Sequence, residues 1–206
     1  MAEGTTDAVI LTDIQADFME LNNGALAVPG TGKDYLDEVI AVAGRFKEAG
    51  LPIVATQDYH PADHMSFCTG YPGRKPFDVV GEGDDQRVLW PPHCVQATPG
   101  AEILVPGELI NEIVHKGTRR AYDSYSGFRD DGGTETGLKE VLRRLGARRL
   151  IIFGLATDYC VKATALHALQ EGFQVTVLLG LSRGITAEGT AAAVEEMRKA
   201  GAEIQE

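Results

Sequence analysis

Positive charge is scarce in this sequence: 19 Lys and Arg stand against 30 Asp and Glu, a formal net charge of −11 with a pI near 4.9. Association with nucleic acid or an anionic membrane begins with Lys/Arg neutralisation of phosphate, so neither partner is expected. Long apolar runs are missing too. No stretch approaches the roughly 20 residues that span a bilayer, and Met1-Ala2-Glu3-Gly4-Thr5-Thr6 carries no basic region leading into an apolar one. A soluble, untargeted, cytoplasmic chain is the expectation. Cysteine is limited to Cys68, Cys94 and Cys160, with no CxxC pair and no even-numbered framework. That excludes a disulfide scaffold and suits a reducing compartment. There is no internal repeat, no low-complexity tract and no sharp shift in composition, so one domain over 1–206 is expected, with self-association into a homo-oligomer left open.

What is present is a core-forming pattern. Hydrophobic residues make up 44% of the 206, enough for a sizeable interior. Short runs rich in β-branched residues, over 8–12, 52–56, 111–115, 149–153 and 174–178 with a short last one at 202–204, alternate with stretches of helical period over 33–49, 135–145, 158–170 and 187–200. This alternation predicts an α/β fold, a three-layer α/β/α sandwich around a mostly parallel sheet. Gly50, Gly146, Gly172 and Gly201 each follow a helical stretch, where a left-handed residue commonly closes the last turn. The region of about 58–108 has no convincing period, yet it holds seven of the nine prolines, three of the five histidines and Trp90. A loop of that length inside a compact domain points to function.

In an open parallel sheet, residues just past the carboxyl ends of the strands line one crevice. Asp13, Asp58, His60, Lys116 and Cys160 all fall on that predicted edge. Cys160 closes Gly154-Leu155-Ala156-Thr157-Asp158-Tyr159-Cys160, a strand-to-helix turn, which predicts a thiol in the first helical turn. Free N–H groups and the positive dipole end there favour a thiolate and could hold an oxyanion. Alone, Cys160 reads as a small buried apolar residue, Asp13 as a cap and Lys116 as a solvated amine. Together a thiol, a carboxylate and an amine form a chemical set. Lys116 would lower the thiol pKa, and Asp13 could take the proton and return it to a leaving amine.

A second set is Asp58-Tyr59-His60 with Trp90-Pro91-Pro92-His93-Cys94. Residues two apart in extended chain face one side, so Asp58 and His60 can share an ion that His93 completes. His64 reads equally as a helper or a loop residue. Gly30-Thr31-Gly32-Lys33 lacks the Ser/Thr and first glycine of a phosphate loop and reads as a turn. His115 and His167 read as structural, and Arg143, Arg144, Arg148 and Arg149 as a solvated surface.

These segments, with Asp13-Ile14-Gln15-Ala16-Asp17-Phe18, His115-Lys116-Gly117 and Ser124-Tyr125-Ser126-Gly127-Phe128, give a chain that resembles the nicotinamidases and pyrazinamidases of the isochorismatase-like cysteine hydrolase superfamily. The resemblance runs from about 8 to 201. It implies an Asp13, Lys116 and Cys160 triad, and one divalent metal ion, zinc or iron and in some cases manganese, on Asp58, His60 and His93. It also implies a cis peptide before Ala156, an oxyanion hole from the N–H groups of Ala156 and Cys160, and Phe18, Trp90 and Tyr125 around the ring of the substrate. The implied reaction is hydrolysis of nicotinamide to nicotinate and ammonia in NAD salvage, through a thioester. Two other readings stay open: another amidohydrolase or isochorismatase of the superfamily, and a non-catalytic metal- or ligand-binding protein. The segment 69–89 is longer than in compact members, with a lid, a dimer contact or no function as its alternatives.

Overall fold

The computed structural model describes residues 6–83 and 86–206. In chain order the main elements are β1 (Thr6–Thr12), α1 (Lys33–Glu48), β2 (Ile53–Asp58), β3 (Val79–Val80), β4 (Arg87–Val88), β5 (Glu112–Lys116), α2 (Leu138–Arg144), β6 (Ala147–Gly154), α3 (Lys162–Gln170), β7 (Gln174–Leu178), α4 (Ala187–Ala200) and β8 (Glu203–Gln205). Six strands form one sheet in the order β5-β2-β1-β6-β7-β8, and every pairing in it is parallel. β3 and β4 pair antiparallel as a separate ribbon.

Alternation along β1 explains the layers. Val9 and Leu11 face one core with Tyr35, Val39 and Ala43 of α1. Ala8 and Ile10 face the other, with Leu138 and Leu142 of α2, Ala165 and Ala168 of α3, and Val194 and Met197 of α4. A strand covered on both faces needs an unbroken apolar run, which Ala8-Val9-Ile10-Leu11 supplies. The expected three layers are therefore present, and the expected parallel strands are all found, with ends shifted by a few residues. Gly50, Gly146, Gly172 and Gly201 do adopt positive φ.

The chain builds β1, β2 and β5 outward on one side, then returns to place β6, β7 and β8 on the other. The reversal lies between β1 and β6, the switch point where such sheets open a crevice. Two expected boundaries differ. α2 begins at Leu138 rather than 135, after Gly137 with φ 96°. The helix expected from 158 opens instead as a π turn, Thr157–Val161, and becomes α-helical only at Lys162. Over so few residues a π turn and an α turn share one sequence pattern, and wide turns of this kind recur at functional sites.

Candidate active site

The switch point gathers the predicted groups. Asp13 follows β1 directly with φ 50°, a left-handed conformation uncommon for a residue with a side chain and frequent where geometry serves a site. Asp58 and Lys116 do not lie past their strands as expected but end them, and they are register partners across β2 and β5. Cys160 comes from the π turn after β6. Gly154, with φ 131°, makes that approach feasible: a Cβ there would lie 2.1 Å from the Thr12 carbonyl oxygen. The next residue, Leu155, donates its N–H to that same oxygen at 2.9 Å. The turn that carries Cys160 is thus clasped to the end of β1, and the Leu155–Ala156 peptide is cis as the resemblance implied.

Lys116 is the hub. Its fully buried ammonium donates to Asp58 Oδ1 at 2.5 Å, to the Ser124 carbonyl at 3.0 Å and to Cys160 Sγ at 3.3 Å, and lies 2.9 Å from Asp13 Oδ2. Thr56 donates its hydroxyl to Asp13 Oδ1 at 2.7 Å. A carboxylate oxygen of Asp13 and the sulfur of Cys160 lie within 4.8 Å of each other. Burial alone would lower Lys116, but Asp13 and Asp58 outweigh it and hold it a cation. Burial also works against the Asp58 carboxyl, and there Lys116 and His60 win, holding it below the usual carboxylate range.

The balance for Cys160 departs from expectation. Lys116 does pull its pKa down, but burial, with Asp13 and Asp58 behind it, pushes it well above the ordinary thiol value. That direction favours the neutral thiol, so a nucleophilic role for Cys160 would call for a base beside it. Burial raises Asp13 against the pull of Lys116, which makes it a stronger base than an ordinary carboxylate.

Beside this triad stand the predicted metal donors. One donor atom each from Asp58, His60 and His93 lies within 4.8 Å of the others, and all three residues are buried. His60 Nδ1 meets the Gly117 carbonyl at 2.9 Å and His93 Nδ1 the Pro91 carbonyl at 2.8 Å. A carbonyl only accepts, so each Nδ1 carries the proton and each Nε2 keeps its lone pair, the arrangement of a metal-ligating histidine. Burial first, and then His60, hold the His93 imidazole down to about 3, neutral as a ligand must be. The donor set therefore fits a divalent ion. His64 lies outside it. Its Nε2 donates to the Tyr122 carbonyl at 3.0 Å and its Nδ1 meets Ser66 Oγ at 2.8 Å, so it packs beside His60 with both nitrogens engaged.

Several contributors carried no predicted role. Gln15, fully buried, accepts the Asp58 N–H and donates to the Asp58 carbonyl, both at 2.8 Å. Asp17 Oδ2 accepts the N–H of Cys94 at 2.7 Å, steadying the loop that carries His93. Gly117 has φ 64°, and a Cβ there would lie 2.3 Å from the His60 ring. All three stand inside the quoted segments, where an uncharged buried amide beside Asp13 and a glycine after Lys116 were the available signals. Gly117→Ala is expected to lower bound metal and to cost about 1–3 kcal/mol of stability. Elemental analysis and urea unfolding check it, and unchanged metal content would contradict it.

Cys160 of the first set and Asp58, His60 and His93 of the second line one cavity enclosing about 470 Å³ of empty space, its mouth included. Phe18, Trp90 and Tyr125 line it, and so do Ala156 and Tyr159. Trp90 Nε1 donates to the Tyr125 hydroxyl at 3.1 Å. Tyr159 packs edge-to-face on Trp90 with centroids 5.0 Å apart, and Phe18 lies 5.5 Å from His93. The other singled-out residues fall elsewhere. His115 stacks on Tyr59 at 4.6 Å, Thr31 bonds the Val28 carbonyl within its turn, and Arg144 and Arg149 pair with Glu112 and Asp7. Cys68 and Cys94 are buried and unbridged.

Residues 7–206 match the family model described as the isochorismatase domain. The chain belongs to the isochorismatase family. Among curated family members, it is 40% identical to the nicotinamidase of Escherichia coli, over 96% of this chain and 93% of that one. Among solved structures, a nicotinamidase and pyrazinamidase of Acinetobacter baumanii superposes with a TM-score of 0.89 at 32% identity, covering 99% of this chain and 97% of the other. The pyrazinamidase of Pyrococcus horikoshii, solved in complex with zinc, superposes at 0.79 with 41% identity over 97% and 99% of the two chains. Among the described residues, no helix of this isochorismatase-family chain is long and apolar enough to cross a membrane.

Proposed function

We propose that this protein is a nicotinamidase, an amidohydrolase that converts nicotinamide to nicotinate and ammonia in NAD salvage and also accepts pyrazinamide. The observation that carries this is the double attachment of Asp58. Through Lys116 it is bonded to the Cys160 and Asp13 cluster, and with His60 and His93 it forms the donor set in the same cavity. A thiol beside a buried cation serves acyl transfer in general. A donor set in the same pocket calls for a substrate that combines a carboxamide with a ligating atom, as a pyridine carboxamide does.

The residues act as follows. Phe18, Trp90 and Tyr125 enclose the ring and set the carboxamide against Cys160, converting encounter into attack geometry. Asp13 takes the thiol proton as sulfur bonds to the carbonyl carbon, while Lys116 stabilises the forming thiolate. The N–H groups of Ala156 and Cys160 stabilise the oxyanion. Asp13 passes its proton to the departing ammonia, then serves as base for the water that cleaves the thioester. Asp58, His60 and His93 would hold one divalent ion, zinc or iron by donor type, and when bound it supplies a Lewis acid for the ring nitrogen. The domain spans 1–206, with the loop region of about 58–108 supplying ligands and ring contacts. Three unbridged cysteines support a cytoplasmic setting.

Ammonia release from nicotinamide, pyrazinamide and an N-carbamoyl amide, beside pyruvate release from isochorismate, tests the proposal in zinc-replete protein. Nicotinamide is expected to be turned over readily and isochorismate not at all; no release from nicotinamide would overturn it. His93→Ala is expected to strip most bound metal by elemental analysis, about 10–100-fold in affinity or more, and full retention would refute the ligand assignment.

A further inference from the structure

The segment 69–89 does something specific: we infer that Phe77 is a positioning residue that braces Trp90 and so sets the grip of the pocket on the ring of the substrate. The inference rests on the nicotinamidase reading above. The ribbon of β3 and β4 continues toward the cavity through two further bonds, from the Leu89 N–H to the Asp78 carbonyl at 2.8 Å and from the Phe77 N–H to the Leu89 carbonyl at 2.6 Å. This places the Phe77 ring edge-to-face against Trp90, with centroids 5.8 Å apart and an interplanar angle of 82°. The Trp90 side chain is otherwise held by Tyr159 and by its bond to Tyr125, while its backbone is bonded to Ser66 and Cys68. Phe77 therefore supplies a second ring contact, beside that of Tyr159, to a residue that lines the pocket.

Two features set Phe77 apart from a core residue. It is 55% exposed, so burial does not account for it, and its φ is 70°, a left-handed conformation costly for a bulky side chain. Its aromatic contact in this structure is the wall of the cavity. An edge-to-face pair contributes modestly, which suits adjustment of binding rather than of the bond-making step. Trp90 touches the ring before and during the reaction alike. Loosening it weakens ground state and transition state together, raising KM and leaving kcat.

Trp90 is also the one tryptophan of the chain, so its fluorescence reads the brace independently of turnover. Phe77→Asn keeps a residue that tolerates left-handed backbone while deleting the ring, Phe77→Leu keeps apolar bulk, and Phe77→Tyr keeps the ring. Val79→Ser serves as control, since Val79 is 53% exposed on the same ribbon. In zinc-replete full-length protein, Phe77→Asn and Phe77→Leu are expected to raise KM for nicotinamide by about three- to tenfold, the scale of one aromatic pair, with kcat within about twofold. Their Trp90 emission should shift to the red and become more open to acrylamide quenching, while Phe77→Tyr and Val79→Ser match the parent. Unchanged emission and quenching in both ring-deleted variants would overturn the inference, as would a fall in kcat at constant KM. Because emission and quenching need no substrate, the brace can fail while hydrolysis stands, and hydrolysis can fail while the brace stands.

Discussion

Cys160→Ala is expected to lower nicotinamide hydrolysis by about 10⁴-fold or more while leaving the fold and the bound metal in place. Removing the attacking atom disables a unit whose other members act only through it, which is why such losses are large and non-additive. Little else should change. Cys160 is small, and its sulfur is no part of the Asp58, His60 and His93 donor set. Cys160→Ser should not rescue the rate, because a hydroxyl is far harder to deprotonate than a thiol and burial already resists the anion at this position. Ammonia release, circular dichroism and metal content check all three statements. A Cys160→Ala protein that keeps its rate would remove the nucleophile from the proposal.

Lys116→Met is expected to cost about 3–5 kcal/mol of stability in addition to turnover, the scale of stripping one partner from a buried charge cluster. In metal-stripped protein, where the comparison is made, Asp13 and Asp58 would then face one another in the interior without the ammonium that bridges them. Adding Asp13→Asn should recover part of the loss, since one buried negative charge goes with it, and a double-mutant cycle in urea measures the coupling. The pH dependence has a definite sign. Asp13, which burial already raises, would lose the Lys116 pull that opposes it, so its folded pKa would lie further above its unfolded one, and the variant would gain relative stability below the unfolded carboxylate range and lose it as pH rises through the raised folded value. A loss that is equal at pH 4 and pH 8, or under about 1 kcal/mol, would mean that Lys116 does not neutralise this cluster.

The sheet edge was legible because its cause is simple. Apolar runs covered on both faces must be parallel strands, and parallel strands deliver their ends to one crevice. Counting past strand ends brought Asp13, Asp58, Lys116 and Cys160 to one edge, although Asp58 and Lys116 end their strands rather than follow them. What stayed hidden depends on backbone detail. The π turn under Cys160 has no period of its own over five residues. The Gly117 carbonyl that sets the His60 tautomer is a main-chain atom with no residue signature. The thiol shows the limit of sign reasoning: Lys116 acts on Cys160 in the direction expected, and burial outweighs it. His64 shows the limit of spacing, since it is near enough to ligate and is instead held by Tyr122 and Ser66. Phe77 was invisible as a brace because its ring meets Trp90 only through the ribbon that β3 and β4 form.

The most direct test is the mass of the Cys160 peptide from enzyme quenched in acid within the first turnover on nicotinamide. A nicotinoyl group on that peptide, absent from Cys160→Ala, is the predicted result. A nicotinoyl adduct on a different residue, or ammonia release that persists at the parent rate in Cys160→Ala, would contradict catalysis by the Asp13, Lys116 and Cys160 cluster.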